Sequence, residues 1–277
     1  MKKARVILLS GQSNAVGVGH IKYLPKHFDE ETANAFRKGY EKILIHYISH
    51  NIENEGFEKV RVNQTERNND TLGPEVGIAK KLTEKYPGEE FFIIKCAFGG
   101  SDMNTGWRSP SSGAPYDKER VVEYARAIND PQFRFPGWCF NQQIRAIDDG
   151  FAALREMGYE IEIIAFCWMQ GESDSGNPIC LEPYIDRYDA MLRDLRERYA
   201  PAFENCIYID AAISQRWGNY EAMNANKKAY AEKMGYKFID TVAEGFTTAF
   251  EPEENPDTAH YDLNWTVKLG ELFAEFV

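Results

Sequence analysis

Short runs dense in apolar and β-branched residues recur along the chain at 6–9, 91–97, 161–168, 206–209 and 236–239. Unbroken apolar runs of strand length mark strands covered on both faces, because a half-exposed strand would alternate polar and apolar positions. The segments between them carry a helical period instead. Val76, Ala79, Leu82 and Tyr86 follow the helix start Gly73-Pro74, and Ile144, Ile147, Phe151 and Leu154 step by three and four. Tyr188, Met191, Leu195 and Tyr199 repeat the pattern, and Trp265, Leu269, Leu272 and Phe276 end it. Strand alternating with helix predicts an α/β fold: a parallel sheet of about five strands held between layers of helices, with ligands bound at the strands' carboxyl ends.

Two segments break this rhythm inside what reads as one domain over 1–277. Residues 20–70 are polar, with extended stretches at 42–49 and 57–62 around a turn at 51–56, the pattern of a hairpin insertion. The second segment, 101–136, is rich in Gly, Ser and Pro and predicts a long loop with a short helix near 118–128. Each follows a predicted strand, on the side where loops carry function.

Composition narrows the partners. With 32 Lys+Arg against 43 Asp+Glu the net charge is −11, and no basic run offsets it, which argues against nucleic acid and anionic lipid. No apolar stretch nears the roughly 18 residues of a membrane helix. The apolar run at 6–9 is too short for a signal peptide. Five cysteines, an odd number without a CxxC pair, predict reduced and mostly buried thiols and a cytoplasmic protein. The composition does not set an oligomeric state.

Candidate chemistry gathers where strands are expected to end. The first strand runs into Gly11-Gln12-Ser13-Asn14, so Ser13 is either a nucleophile or a helix cap. Serine needs a histidine to take its proton, and that imidazole needs a carboxylate on its other nitrogen. Of the five histidines, four lie in the first insertion, whereas His260 follows Asp257 by three residues at the start of the last helix. Those two are either such a pair or a turn with a solvated side chain. After the second strand, Gly99-Gly100-Ser101 lets backbone N–H groups approach a ligand, as an oxyanion hole requires. After the third, Gln170-Gly171-Glu172-Ser173-Asp174 crowds an amide and two acids together.

Taken in order, Gly11-Gln12-Ser13-Asn14, Gly99-Gly100-Ser101, Trp168-Met169-Gln170-Gly171-Glu172 and Asp257-Thr258-Ala259-His260 resemble the SGNH hydrolase superfamily. More narrowly, they resemble its carbohydrate esterases, grouped with sialate O-acetylesterases and acetyl xylan esterases, and Leu72-Gly73-Pro74-Glu75 is similar to that group's Gly-Pro-Glu helix start. The resemblance implies a flavodoxin-like α/β/α sandwich and hydrolysis of acetyl esters on sugars without metal or cofactor. It also implies Ser13 as nucleophile, His260 as base and Asp257 as its partner, with the Ser13 and Gly100 amides and Gln170 lining the oxyanion hole. Met169 departs from the histidine often found before that glutamine.

Asn14 would bind substrate, complete the oxyanion site or satisfy local backbone, and Glu172 would bind a sugar hydroxyl or orient neighbouring amides. Trp107 and Arg108, in the second long loop, would stack on a sugar and hold a sugar carboxylate, or else simply pack. His46 and His50 have the spacing of a helical zinc pair, but their segment reads as strand, which sets them some 13 Å apart. The acids Glu251, Glu253 and Glu254 read as a solvated loop without a calcium pattern. Two other functions stay open: a non-catalytic sugar-binding protein on the same fold, and an SGNH lipase or thioesterase, which would need a broad apolar groove.

Overall fold

The computed structural model describes residues 2–50, 52–65, 70–113, 136–248 and 250–277. The helix expected near 118–128 lies outside them. The main sheet contains β1 (Lys2–Gly11), β2 (Tyr40–Ile48), β3 (Glu58–Val60), β4 (Phe91–Ala97), β5 (Tyr159–Met169), β6 (Ile207–Ala211) and β7 (Lys237–Ile239). Their spatial order is β3-β2-β4-β1-β5-β6-β7. Neighbours run parallel except for the β2/β3 hairpin.

The sheet thus has seven strands rather than about five. The extra pair comes from the first insertion, whose hairpin extends the sheet instead of standing apart from it. Glu41, Lys42 and His46 break the apolar run that would have marked β2 as a sheet strand. In place, Ile43 pairs with Phe91 and Ile48 with Cys96, and the buried side of β2 continues that of β4.

Two helical layers cover the sheet. Helices α1 (Ser13–Val16), α2 (Glu30–Lys38), α3 (Pro74–Lys85), α4 (Trp138–Glu156), α5 (Glu172–Ser175), α6 (Tyr184–Arg198), α7 (Tyr220–Met234) and α8 (Leu263–Glu275) supply them. Ile94 of β4 packs at Gly150 of α4, while the next residue, Lys95, meets Glu75 of α3. Successive strand side chains point to opposite faces, so α4 and α3 lie on opposite sides of the sheet. Helix α8 packs on α3 almost backbone to backbone: a Cβ on Gly270 would stand 1.8 Å from the Pro74 carbonyl oxygen, and one on Gly77 1.9 Å from that of Val267. At the end of α6, Tyr199 reaches α4, its hydroxyl donating to the Ile144 carbonyl at 3.2 Å. Between the layers, residues 6–9 and the whole of β4 are buried, as their composition requires. Among the described residues no helix is long and apolar enough to cross a membrane.

Candidate active site

Strand β1 ends at Gly11, whose φ of +141° and closeness to β5 leave no room for a side chain; a Cβ there would lie 1.9 Å from the Met169 carbonyl oxygen. The chain crosses the end of β5, with Gln12 N donating to Met169 O at 2.9 Å, and enters α1 at Ser13. As first residue of a helix, Ser13 has no carbonyl one turn back for its N–H. Gly100 follows β4 with φ +71° and open space on its Cα. Among the described residues neither amide has a protein acceptor. Two free backbone donors therefore stand at the ends of neighbouring strands.

Asp257 and His260 lie on the loop before α8, where His260 Nδ1 hydrogen-bonds Asp257 Oδ2 at 2.7 Å. That bond leaves Nε2 as the ring nitrogen able to accept a proton. The side chains of His260 and Asp257 are 14% and 29% exposed and Ser13 is 6% exposed, so the group sits just under the surface.

Asn14 joins the two halves. Its Oδ1 accepts from the backbone N–H of Tyr261 at 3.0 Å, and its Nδ2 donates to Glu172 Oε1 at 2.9 Å. The neighbour of Ser13 is thereby hydrogen-bonded to the neighbour of His260. Asn14 and Glu172 are 2% and 1% exposed; both ends of the Asn14 amide are committed inside the protein, and Glu172 orients that amide. Burial raises the Glu172 pKa against the bond from Asn14.

Gln170 is displaced from its expected place among the oxyanion donors. Its Nε2 lies 2.7 Å from Asp174 Oδ2, 3.1 Å from Gln12 Oε1 and 3.2 Å from the Ser101 carbonyl, and the residue is fully buried. It fixes the loops that carry Ser13 and Gly100. Asp174 completes this arrangement by accepting from Met103 N at 2.9 Å and Asn104 N at 3.2 Å. Desolvation pushes its carboxyl up to about 7 despite these donors.

Trp107 is fully buried rather than open to a sugar. Its Nε1 donates to Ser101 Oγ at 2.8 Å, and its ring meets Trp168 edge-on with centroids 5.0 Å apart. Replacing it by alanine is expected to lower stability by about 3–5 kcal/mol, the cost of a large core cavity, without raising KM in proportion. Thermal melts read beside steady-state kinetics test this, and a KM effect without a stability effect would restore the stacking role. Arg108 is half-buried and turns back on its own loop, Nε donating to the Ser112 carbonyl at 2.9 Å.

His46 Nδ1 meets the Gly56 carbonyl at 3.1 Å, and His50 Nε2 meets the Gly99 carbonyl at 3.2 Å. Among the described residues no cluster of three metal-ligating side chains occurs. Glu251 departs from its expected solvated loop and is buried, bonded to His27 Nε2 at 2.5 Å.

Two buried lysines hold backbone carbonyls near the site. Lys95 Nζ donates to the Val16 carbonyl at the end of α1 (2.6 Å) and pairs with Glu75 Oε2 at 2.7 Å. Lys227 Nζ holds the Gln170 carbonyl at 2.5 Å and the Ala211 carbonyl at 2.6 Å, beside Asp210 Oδ1 at 3.0 Å. A lysine inside the apolar run of β4 is itself a signal, since a charge in a strand covered on both faces must be paired.

A family model described as carbohydrate esterase, sialic acid-specific acetylesterase matches residues 3–277. No curated protein matches the chain. Among solved structures, NanS superposes with a TM-score of 0.65 at 16% identity, covering 99% of this chain and 96% of its own. A protein from Arabidopsis thaliana superposes at 0.63 and 19% identity, covering 98% and 96%. Both likenesses extend over nearly the whole α/β/α sandwich.

Proposed function

The chain belongs to the sialic acid-specific acetylesterase family of carbohydrate esterases, and from that membership we propose that Ser13, His260 and Asp257 remove O-acetyl groups from sugars through an acetyl-enzyme. The observation that carries this reading is the 2.7 Å His260–Asp257 pair on a loop tied to the Ser13 turn by the Asn14–Tyr261 bond.

Ser13 Oγ attacks the ester carbonyl while His260 Nε2 takes its proton, and Asp257 stabilises the imidazolium that forms. The carbonyl oxygen, now negative, accepts from the Ser13 and Gly100 amides. Collapse of the tetrahedral intermediate expels the sugar alkoxide, which receives the proton from His260. Water then attacks the acetyl-enzyme by the same route and releases acetate and free Ser13.

The family supports a sugar as the alcohol, and sialic acids and xylan fragments bearing O-acetyl groups are the substrates to compare. Hydrolysis of p-nitrophenyl acetate, butyrate and octanoate is expected to fall steeply with acyl length, and acetate is expected to be released from O-acetylated sialic acid or xylo-oligosaccharide. A preference for octanoate would favour a lipase. Sugar binding without acetate release would favour the binding protein.

A further inference from the structure

The first insertion does more than extend the sheet. Its segment 20–27 lies against the loop that carries Asp257 and His260. Lys22 pairs with Glu254, Lys26 with Glu253 at 2.7 Å, and the Tyr23 hydroxyl accepts from Glu253 N at 2.6 Å. The two lysine pairs are exposed, so solvent and salt screen them. The fourth contact differs. The Glu251 side chain is 3% exposed; Oε1 meets His27 Nε2 at 2.5 Å and Oε2 accepts from Leu263 N, the first residue of α8, at 2.8 Å. Its carbonyl accepts from Asp257 N at 3.0 Å. One buried residue thus touches the insertion, the start of α8 and the backbone of the acid beside His260.

We propose that Glu251, held by His27, is a positioning residue for the base: the insertion braces the Asp257–His260 loop from outside, as Asn14 ties it to the Ser13 turn from inside. The inference rests on the catalytic reading above. The loop has no regular secondary structure, so its path depends on such ties. Proton transfer needs Nε2 within about 3 Å of Ser13 Oγ, and an error of about 1 Å in such a distance can lower a rate on the order of 100-fold. Segment 20–27 starts only four residues after α1 and is thus referenced to the Ser13 side of the site. A carboxylate suits the junction because its two oxygens accept from the imidazole and the Leu263 amide together.

Glu251 is buried enough that its removal risks unfolding, so the test is made at the partly exposed His27. In His27→Ala, kcat for p-nitrophenyl acetate is expected to fall between about 10- and 100-fold with KM within about twofold. In His27→Gln, whose amide also donates to Glu251, kcat is expected to return to within about threefold of the parent. The downfield proton resonance of His260 Nδ1 is followed in the same variants, expected to broaden in the alanine variant and sharpen again in the glutamine one. Unchanged kcat and resonance in His27→Ala would overturn the brace, as would a loss that glutamine does not relieve. A parent protein that shows the resonance but cleaves no ester would instead overturn the catalytic reading, and the resonance alone would then decide whether the brace holds the loop.

Discussion

A Lys95→Met variant is expected to lose about 3–5 kcal/mol of stability, the range for breaking a buried ion pair from one side. Lys95 and Glu75 have side chains 2% and 0% exposed, so water does not take over when the ammonium is removed. The Val16 carbonyl loses its donor, and the Glu75 carboxylate is left with backbone donors, the Gly73 N–H at 3.1 Å and its own N–H. Burial already raises the Glu75 pKa against the pull of Lys95, so the orphaned group would take up a proton. Adding Glu75→Gln removes the cost of protonating that carboxyl and keeps an acceptor for Gly73. The double variant is therefore expected to regain much of the loss. Urea unfolding followed by fluorescence measures both, with stability read from the midpoint at constant m. A single variant within about 1 kcal/mol of the parent would show that the pair is not what anchors α1. Since α1 begins with Ser13, residual activity of the folded fraction reports whether that anchor also serves the site.

The same residues show why parts of the molecule were legible in the sequence and parts were not. Strands β1, β4 and β5 declare themselves because burial on both faces demands apolar runs, and helices α3, α4, α6 and α8 through their periodic buried faces. Strand β2 lies near the sheet edge with Glu41 and Lys42 exposed, so its sequence reads as a separate hairpin. The residues proposed for catalysis, Ser13, Gly100, Asp257 and His260, stand out in the sequence because each lies in a short local motif. Their supports do not: Asn14 meets Tyr261 across 247 positions and His27 meets Glu251 across 224, and no periodicity encodes such pairings. Trp107 is the reverse case, where of stacking on a sugar and packing the structure shows packing. A Gly- and Ser-rich loop suggests exposure, but the Ser101 hydroxyl satisfies the indole N–H and Trp168 receives its ring, so Trp107 is buried.

Ser13→Ala is expected to lower kcat for acetyl-ester hydrolysis by on the order of 10⁶-fold, since removal of the nucleophile leaves only the rate that oxyanion donors and binding supply to water attack. Asp257→Asn is expected to cost less, on the order of 10³- to 10⁴-fold. The amide preserves the shape of the loop, but its nitrogen cannot accept from His260 Nδ1–H, and its neutral oxygen stabilises the imidazolium less than a carboxylate does. Partial exposure of Asp257 lets water replace some of that stabilisation. Neither change buries an unpaired charge, so both variants are expected to melt close to the parent, which separates lost chemistry from lost structure. Combining them is expected to add almost nothing to the serine variant alone, because a base has no work without a nucleophile. Single-turnover acetate release resolves the series. Equal losses from both single variants would assign Asp257 a larger share in catalysis than its exposure allows, whereas a serine variant retaining a tenth of the parent rate would move the nucleophile elsewhere.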